Sequence, residues 1–300
     1  MDQRPKIEVE AESVDLRLDI YLAEALGSRS AAQRAIEAGS VLVNGGPVAK
    51  RYRVQLGDVI AIEAPADIPI VQSSRSDLSV AYEDESLFVI NKPAGLVVHP
   101  APGHRGETLA EILDGSTAGG EPGRSGIVHR LDRDTSGLII VARSEESHRL
   151  LSSAIQSRDV EREYSALVIG HPETDEGTID APIGRDIRVR TKMSIATDKP
   201  REAVTHFRLV EALPDSALLT VRLETGRTHQ IRVHLAAIGL PVAGDPTYGV
   251  ESAFGLKRQF LHAQRLAFDH PITGERIDVS SDLPDDLVLA LTLARASQVE

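Results

Sequence analysis

The sequence predicts an α+β protein in which a small α/β module precedes a larger domain built on a mixed, largely antiparallel sheet. Three observations support this prediction. Short runs rich in β-branched residues outnumber segments with helical spacing. Two of these runs, 203–209 and 218–223, follow one another as consecutive strands. A stretch rich in proline and serine, 63–79, separates the first 62 residues from the rest.

Four segments follow from these boundaries. Residues 1–13 are polar and are expected to form a flexible tail, and 14–62 form the small module. The linker at 63–79 is long enough to let the module move, and 80–300 form the main domain. In the module we predict a helix from Ser28 or Ser30 through Ile36 and strands at 41–43 and 59–62, with an Asn44-Gly45 turn after the first strand.

The main domain alternates short strands with helices. Strands are predicted at 80–82, 87–91, 138–141, 162–168, 203–209 and 218–223. Helices are predicted at 108–113, 145–157 and 287–295, and in a stretch through Val233, Leu235 and Ile238.

Composition excludes several classes of protein. Hydrophobic content of 41% and charged content of 26% are typical of a soluble globular protein. No apolar run approaches the roughly 18–20 residues that span a membrane. The first residues, MDQRPKIEVEAES, contain no apolar signal core, so we expect a cytoplasmic location. The sequence has no cysteine, which excludes disulfides and thiolate chemistry.

The charge distribution is uneven. A net charge of −12 argues against nucleic-acid binding at first sight. However, 185–201 contains six Lys/Arg against two Asp, and 222–234 contains three Arg against one Glu. A globally acidic protein with this pattern can still present a basic working face.

Residues 126–144, GIVHRLDRDTSGLIIVARS, place a charged loop before a buried strand. Asp132 has His129, Arg130 and Arg133 as near neighbours in this loop. Cations within reach should keep its carboxylate ionised, so that it can act as a nucleophile or base. A structural ion pair that fastens a surface loop would show the same spacing.

Three further features are open to two interpretations. Tyr164 lies on a predicted strand, where a tyrosine either packs in the core or offers an aromatic platform. The basic segment 185–201, with Arg188, Arg190 and Lys192, is either a solvated loop or a mobile arm that grips phosphate groups. Residues 14–62 are either an accessory domain with solvated charges or a binding module.

The sequence resembles a known enzyme family at several places. HRLDRDTSGL resembles the signature of the RluA-type pseudouridine synthases, in which the Asp of H-R-L-D-x-x-T-S-G is catalytic. NKPAG at 91–95, REYSALV at 162–168 and GRTHQIR at 226–232 resemble further motifs of the family. RLDIYL, SRSAAQRAIEAGSVLVNG and QLGDVIAIE resemble the α-L RNA-binding module named after a small-subunit ribosomal protein.

This resemblance implies a pseudouridine synthase fold and the isomerisation of specific uridines in structured RNA. Large-subunit ribosomal RNA is the expected substrate, and relatives of this layout also modify tRNA. Asp132 would be the catalytic residue, and Tyr164 would stack on the flipped base. The basic residue that pairs with Asp132 would be Arg227, with Arg232 as the alternative.

The resemblance also implies residues that contact RNA. Leu131 and Ile231 would line the base pocket, and Arg130 would fill the gap that the flipped nucleotide leaves. The remaining candidate RNA-binding residues are Arg29, Arg34, Lys50, Arg51, Arg188, Arg190, Lys192 and Arg232.

No cofactor is expected. His229 and His234 are five residues apart rather than the four that place two ligands on one helix face, so no metal site is predicted. The sequence contains no glycine-rich phosphate loop, so no nucleotide cofactor is expected. The protein is expected to be a monomer. The main rival is a non-catalytic RNA-binding or ribosome-assembly protein. Glycoside hydrolysis would need a second acid, for which Asp134 is the only near candidate.

Overall fold

The computed structural model describes residues 6–9, 13–23, 32, 36, 41–49, 51–62, 78–100, 106–120 and 125–297. The chain divides into two compact units, one made of residues 1–72 and 101–106 and the other of 73–100 and 107–300. Most of the predicted helix at 28–36, the linker at 63–77, and Arg29, Arg34 and Lys50 lie outside the described residues. Within the described ranges, no helix is long and apolar enough to cross a membrane.

The first unit contains a four-stranded antiparallel sheet and a short helix, α1 (Leu18–Tyr21). Its strands are β1 (Lys6–Glu8), β2 (Val41–Val43), β3 (Gly46–Pro47) and β4 (Val59–Ile62), in the order β1-β4-β2-β3. The predicted turn is confirmed, since Asn44 and Gly45 both have positive φ.

Strand β1 places residues 6–8, part of the predicted flexible tail at 1–13, in the sheet of this unit. Ile7 lies opposite Ile60 of β4, and Val9 is buried in the core of this unit. The signal was present in the alternation of Ile7 and Val9 with charged residues, which is typical of an edge strand buried on one face.

A nine-stranded sheet forms the second unit. Its strands are β5 (Ser79–Glu83), β6 (Leu87–Lys92), β7 (Ser136–Ala142), β8 (Glu161–Ile169), β9 (Glu176–Asp180), β12 (Val204–Ala212), β13 (Ser216–Leu223), β14 (Leu261–Asp269) and β15 (Arg276–Ser280). The order is β5-β6-β7-β14-β8-β13-β12-β9, and β15 also pairs with β14. Among the strand pairs that the structure describes in this sheet, only β7–β14 is parallel, so the predicted mixed, largely antiparallel sheet is confirmed. Strands β10 (Gly184–Arg185) and β11 (Met193–Ser194) form a separate ribbon.

The described part of this unit contains four α-helices: α2 (Leu109–Ile112), α3 (Glu145–Gln156), α4 (Gln230–Ala237) and α5 (Asp285–Ala296). Helix α2 begins with a capping box, in which Thr108 accepts from the backbone of Glu111 and the Glu111 carboxylate accepts from the backbone of Thr108. The Ser144 hydroxyl caps α3 by accepting from the backbone N–H of Ser147.

The centre of the sheet is buried on both faces. Strand β6 directs Phe88 and Ile90 into one core and Leu87 and Val89 into the other. Helices α2, α4 and α5 contribute buried residues to the first core, and α3 contributes Leu151 to the second. The residues predicted to line the base pocket belong to the first core, on the face that α4 covers.

Glycine is required where β7 meets β14. Gly137 has φ +111°, and a Cβ atom there would collide with the carbonyl oxygen of Ala263. The close parallel contact of these strands fixes the end of the loop that precedes β7, and this loop carries Asp132.

Candidate active site

The loop before β7 is held through its own backbone. The carbonyl of Asp132 accepts from the N–H of Thr135 at 3.1 Å. Lys92 Nζ donates to the carbonyl of Arg133 at 3.0 Å, and Arg258 Nη1 donates to the carbonyl of Asp134 at 3.0 Å. Lys92 is fully buried, and this burial lowers its pKa to about 7. Two side chains from distant segments therefore position the backbone on which Asp132 lies.

Asp132 forms an ion pair with Arg232, from the first turn of α4. Arg232 Nη1 donates to Asp132 Oδ2 at 3.0 Å. The other edge of the same guanidinium is bidentate to the fully buried Asp245, at 2.6 Å from Nε and 2.9 Å from Nη2. The bidentate contact with Asp245 fixes the guanidinium, which then offers Asp132 a single, directed hydrogen bond.

The predicted pairing of Arg227 with Asp132 is therefore wrong, and the alternative, Arg232, makes the pair. Arg227 precedes the helix, and its Nε donates to the carbonyl of Glu202 at 2.9 Å. His229 separates the two arginines and has a left-handed backbone, with φ +57°. This conformation turns the chain, so the two arginines point in different directions. Arg232 is also buried between two carboxylates, which corrects its predicted role as an RNA contact.

His229 is a site residue that was not predicted. Its Nε2 lies 3.9 Å from Asp132 Oδ1, and its Nδ1 lies 2.9 Å from the hydroxyl of Tyr248. Because this hydroxyl accepts from the backbone N–H of Met193 at 2.8 Å, its own proton is free to be donated to His229 Nδ1. Burial lowers the pKa of His229, while Asp132 opposes that shift.

A recess beside Asp132 has a volume of about 50 Å³, and its lining includes Leu131, Tyr164, Ile231 and Leu261. Leu131 and Ile231, predicted to line the base pocket, are thus brought together with Tyr164. Burial raises the pKa of Tyr164, Arg162 opposes this shift, and Asp132 adds to it. The phenol is therefore neutral and can present both an aromatic face and a proton donor.

A larger cleft of about 530 Å³ shares Asp132, Tyr164, Arg130 and Arg227 with this recess. It provides the space that a nucleotide needs next to the carboxylate. Arg130 is exposed at its wall, which agrees with a residue that can reach into a bound RNA.

Two of the residues predicted to place positive charge around Asp132, His129 and Arg133, bind other groups instead. His129 Nε2 accepts from the backbone N–H of Ile140 at 2.9 Å, and burial lowers the His129 pKa to about 3. The imidazole is therefore neutral rather than cationic. Arg133 pairs with Asp134 at 2.8 Å, at the surface.

The basic segment 185–201 contains the β10–β11 ribbon. Arg188 and Arg190 are exposed, and the Asp186 carboxylate orders the connection by accepting from the N–H groups of Arg188 and Val189. Lys192 Nζ instead donates to the carbonyl of Thr247 at 2.9 Å. In the first unit, Arg51 is exposed.

Three other residues that support the site had no predicted role: Lys92, Asp245 and Tyr248. Lys92 lies in NKPAG, a segment that resembles a family motif, so its position carried a signal in the sequence. The contacts of all three residues are visible only in the structure. Within the part of the chain that the structure describes, no group of three or more His, Cys, Asp or Glu residues could hold a metal ion.

Comparison with known proteins identifies similar chains. Residues 86–237 match the family model described as RNA pseudouridylate synthase, and residues 16–60 match the S4 domain model. An RNA pseudouridine synthase of Bacillus subtilis (strain 168) is 44% identical over 90% of this chain and 91% of its own. The ribosomal large subunit pseudouridine synthase D of Pseudomonas aeruginosa is 42% identical over 93% and 92%. The solved structure of human RNA pseudouridylate synthase domain containing 1 covers 71% of this chain and 86% of its own, with 28% identity and a TM-score of 0.57.

Proposed function

Because the chain belongs to the RNA pseudouridylate synthase family and is an RNA pseudouridine synthase, we propose that it modifies specific uridines of large-subunit ribosomal RNA with Asp132 as the catalytic residue. The observation that carries this proposal is the Asp132–Arg232 ion pair, which lies against the recess that Tyr164 lines. The substrate class comes from relatives named ribosomal large subunit pseudouridine synthase D, which are about 40% identical over most of the chain. The cytoplasm is the corresponding location.

The reaction sets three requirements for the site. The bond between uracil N1 and ribose C1′ breaks, the base turns, a bond from C5 to C1′ forms, the C5 proton is lost, and N1 gains a proton. This needs a carboxylate near the anomeric region, a platform that holds the detached base, and the exclusion of water. Asp132 would act as the nucleophile or base, oriented by Arg232.

The base would be held outside the RNA stack. Tyr164 supplies the aromatic platform, and Leu131 and Ile231 supply apolar walls of the same recess. A flipped nucleotide leaves a gap in the RNA, and Arg130 at the wall of the cleft would fill it.

The RNA would be held by cations at some distance from the base. In the second unit these are Arg188 and Arg190, which are exposed, with Lys192 at the base of the same segment. In the first unit, the S4 domain match supports RNA contacts by Arg51 and by Arg29, Arg34 and Lys50.

The proposal is tested with Asp132→Asn. We expect the variant to retain the fold and RNA binding but to release no tritium from RNA labelled at uridine C5. Asp134→Asn is the matched control, since Asp134 pairs only with the exposed Arg133 among the described residues. Full activity of Asp132→Asn would remove Asp132 from the mechanism. Release of free uracil by the wild type, lost in both Asp132→Asn and Asp134→Asn, would instead support a two-carboxylate hydrolase.

The substrate is tested by chemical mapping of pseudouridines in ribosomal and transfer RNA from cells with and without this protein. We expect sites to disappear from large-subunit ribosomal RNA. Loss of sites from transfer RNA alone would contradict the proposed substrate. RNA binding without any change in pseudouridine would support a non-catalytic assembly protein.

A further inference from the structure

Arg162, on strand β8, is a buried cation without a carboxylate partner. The residue is 4% exposed. Its one hydrogen bond to the described residues runs from Nη2 to the carbonyl of Glu224, at 3.2 Å. Its Nε is buried and has no acceptor in the part of the chain that the structure describes. Burying an unpaired charge is costly, so an arginine in this state is expected to meet an anion from outside the chain.

The acidic residues around the same 530 Å³ cleft are already paired. The Glu224 carboxylate accepts from Arg158 at 2.5 Å and contacts His206 at 2.6 Å, and Glu202 also pairs with Arg158. Asp132 is paired with Arg232. Arg162 therefore contributes a positive charge to the cleft that none of its carboxylates compensates.

A second orphan donor lies in the wall of this cleft. His129 Nε2 accepts from the backbone of Ile140, so the proton of the neutral ring is on Nδ1. This Nδ1 is buried and has no acceptor among the described residues. Arg162 and His129 thus both line the cleft, and each has a buried N–H group without a partner among the described residues.

Gly226 lies beside the Arg162 guanidinium and has no side chain of its own there. A Cβ atom at Gly226 would lie 3.1 Å from Arg162 Nη1, so any larger residue would press on the guanidinium. The glycine of the GRTHQIR segment therefore leaves room beside this nitrogen.

We propose that Arg162 binds a phosphodiester group of the RNA backbone next to the target uridine, in the cleft beside Asp132. The inference rests on the proposed function, because phosphate is the anion that an RNA substrate brings to this cleft. A guanidinium matches phosphate oxygens with parallel N–H groups. This contact would place the ribose of the flipped nucleotide relative to Asp132.

The test compares Arg162→Met with the wild-type chain. The probe is transcribed, unmodified large-subunit ribosomal RNA, and its affinity is measured over a range of salt concentrations. Loss of one charged hydrogen-bonding contact should weaken binding about tenfold or more. The slope of log affinity against log salt should become shallower by about 1. The melting temperature of the free variant should equal or exceed that of the wild type, because the substitution removes an uncompensated buried charge.

Arg295→Met is the control, since it removes one arginine from an exposed ion pair on α5. Arg295→Met should show the wild-type slope of log affinity against log salt. Arg162→Lys, which keeps the positive charge, should retain most of that slope. An Arg162→Met variant with the wild-type slope overturns the inference. A variant that fails to fold overturns it too, because the charge would then be needed by the free protein. Pseudouridine formation by the wild type on the same RNA is measured in parallel, and its absence would overturn the proposed function itself.

Discussion

Asp245 holds the guanidinium of Arg232 through two hydrogen bonds, of 2.6 and 2.9 Å, and so leaves only one edge of that guanidinium for Asp132. Asp245 is fully buried and also accepts from the backbone N–H groups of Thr247 and Tyr248. Asp245 therefore positions the carboxylate of Asp132, which is proposed to be catalytic, through Arg232 and without contacting it.

Asp245→Asn should strongly destabilise the protein, because it leaves the buried Arg232 with half of its charge compensation. We expect the free energy of unfolding in urea to fall by about 3–5 kcal/mol. Glu211→Gln breaks the exposed pair with Arg295 and should cost less than about 1 kcal/mol. Equal losses in the two variants would show that the Asp245 pair has no special role.

Tyr164→Phe should separate stacking from proton transfer. The ring is buried, and the hydroxyl makes no hydrogen bond to the residues that the structure describes. The variant should therefore keep RNA affinity within about threefold. If the hydroxyl transfers a proton, turnover should fall about 100-fold. Tyr82→Phe, which removes a hydroxyl bound to Asp84 instead, is the control. Unchanged turnover in Tyr164→Phe would limit this tyrosine to packing and stacking.

Lys92→Met should impair turnover more than RNA binding. Lys92 Nζ donates to the carbonyls of Pro93, Leu96 and Arg133, and so connects two loops. Without it, Asp132 would lose part of its support, and a displacement of about 1 Å can cost about 100-fold in rate. Single-turnover rates at saturating protein measure this effect. The exposed Lys257→Met serves as the control. A wild-type rate in Lys92→Met would contradict a positioning role.

His129 should make stability depend on pH. Burial lowers its pKa from 6.5 to about 3, so between these values the unfolded chain binds more protons than the folded one. The contribution of His129 to the free energy of unfolding is therefore fully present above about pH 6.5. It decreases as the pH falls below that value. From about pH 7 to about pH 5 the loss should be at most about 2 kcal/mol.

His129→Gln is the comparison, because the amide oxygen can still accept from Ile140 but does not titrate. The free energy of unfolding in urea is measured for both proteins at the two pH values. Subtracting the change in His129→Gln from the change in the wild type cancels the contributions of all other titrating groups. Parallel pH dependence of the two proteins would show that His129 is accessible to protons in the folded state.

Most of the second unit could be predicted from local patterns. Strands β6, β7, β8 and β13 and helix α3 combine apolar runs or helical spacing with clear ends, and the structure places them within two residues of the predicted bounds. Strand β14 was missed because its sequence, LHAQRLAFD, mixes polar and apolar residues without period 2. Strand β9 was missed because its acidic sequence, EGTID, has a single buried position.

By itself, the sequence determined that a charged loop bearing Asp132 precedes a buried strand. The family motifs in it predicted Tyr164, Leu131 and Ile231 as the groups that would hold a base. These are local properties, set by the order of residues along the chain. Only the tertiary structure decided that Arg232 rather than Arg227 meets Asp132, and that Lys92, Asp245 and Tyr248 hold the site in place. Asp132 and Arg232 are separated by one hundred positions, and Arg232 lies in a helix that begins after the left-handed residue His229. Contacts of this kind depend on the packing of the sheet and α4, which spacing along the chain does not encode.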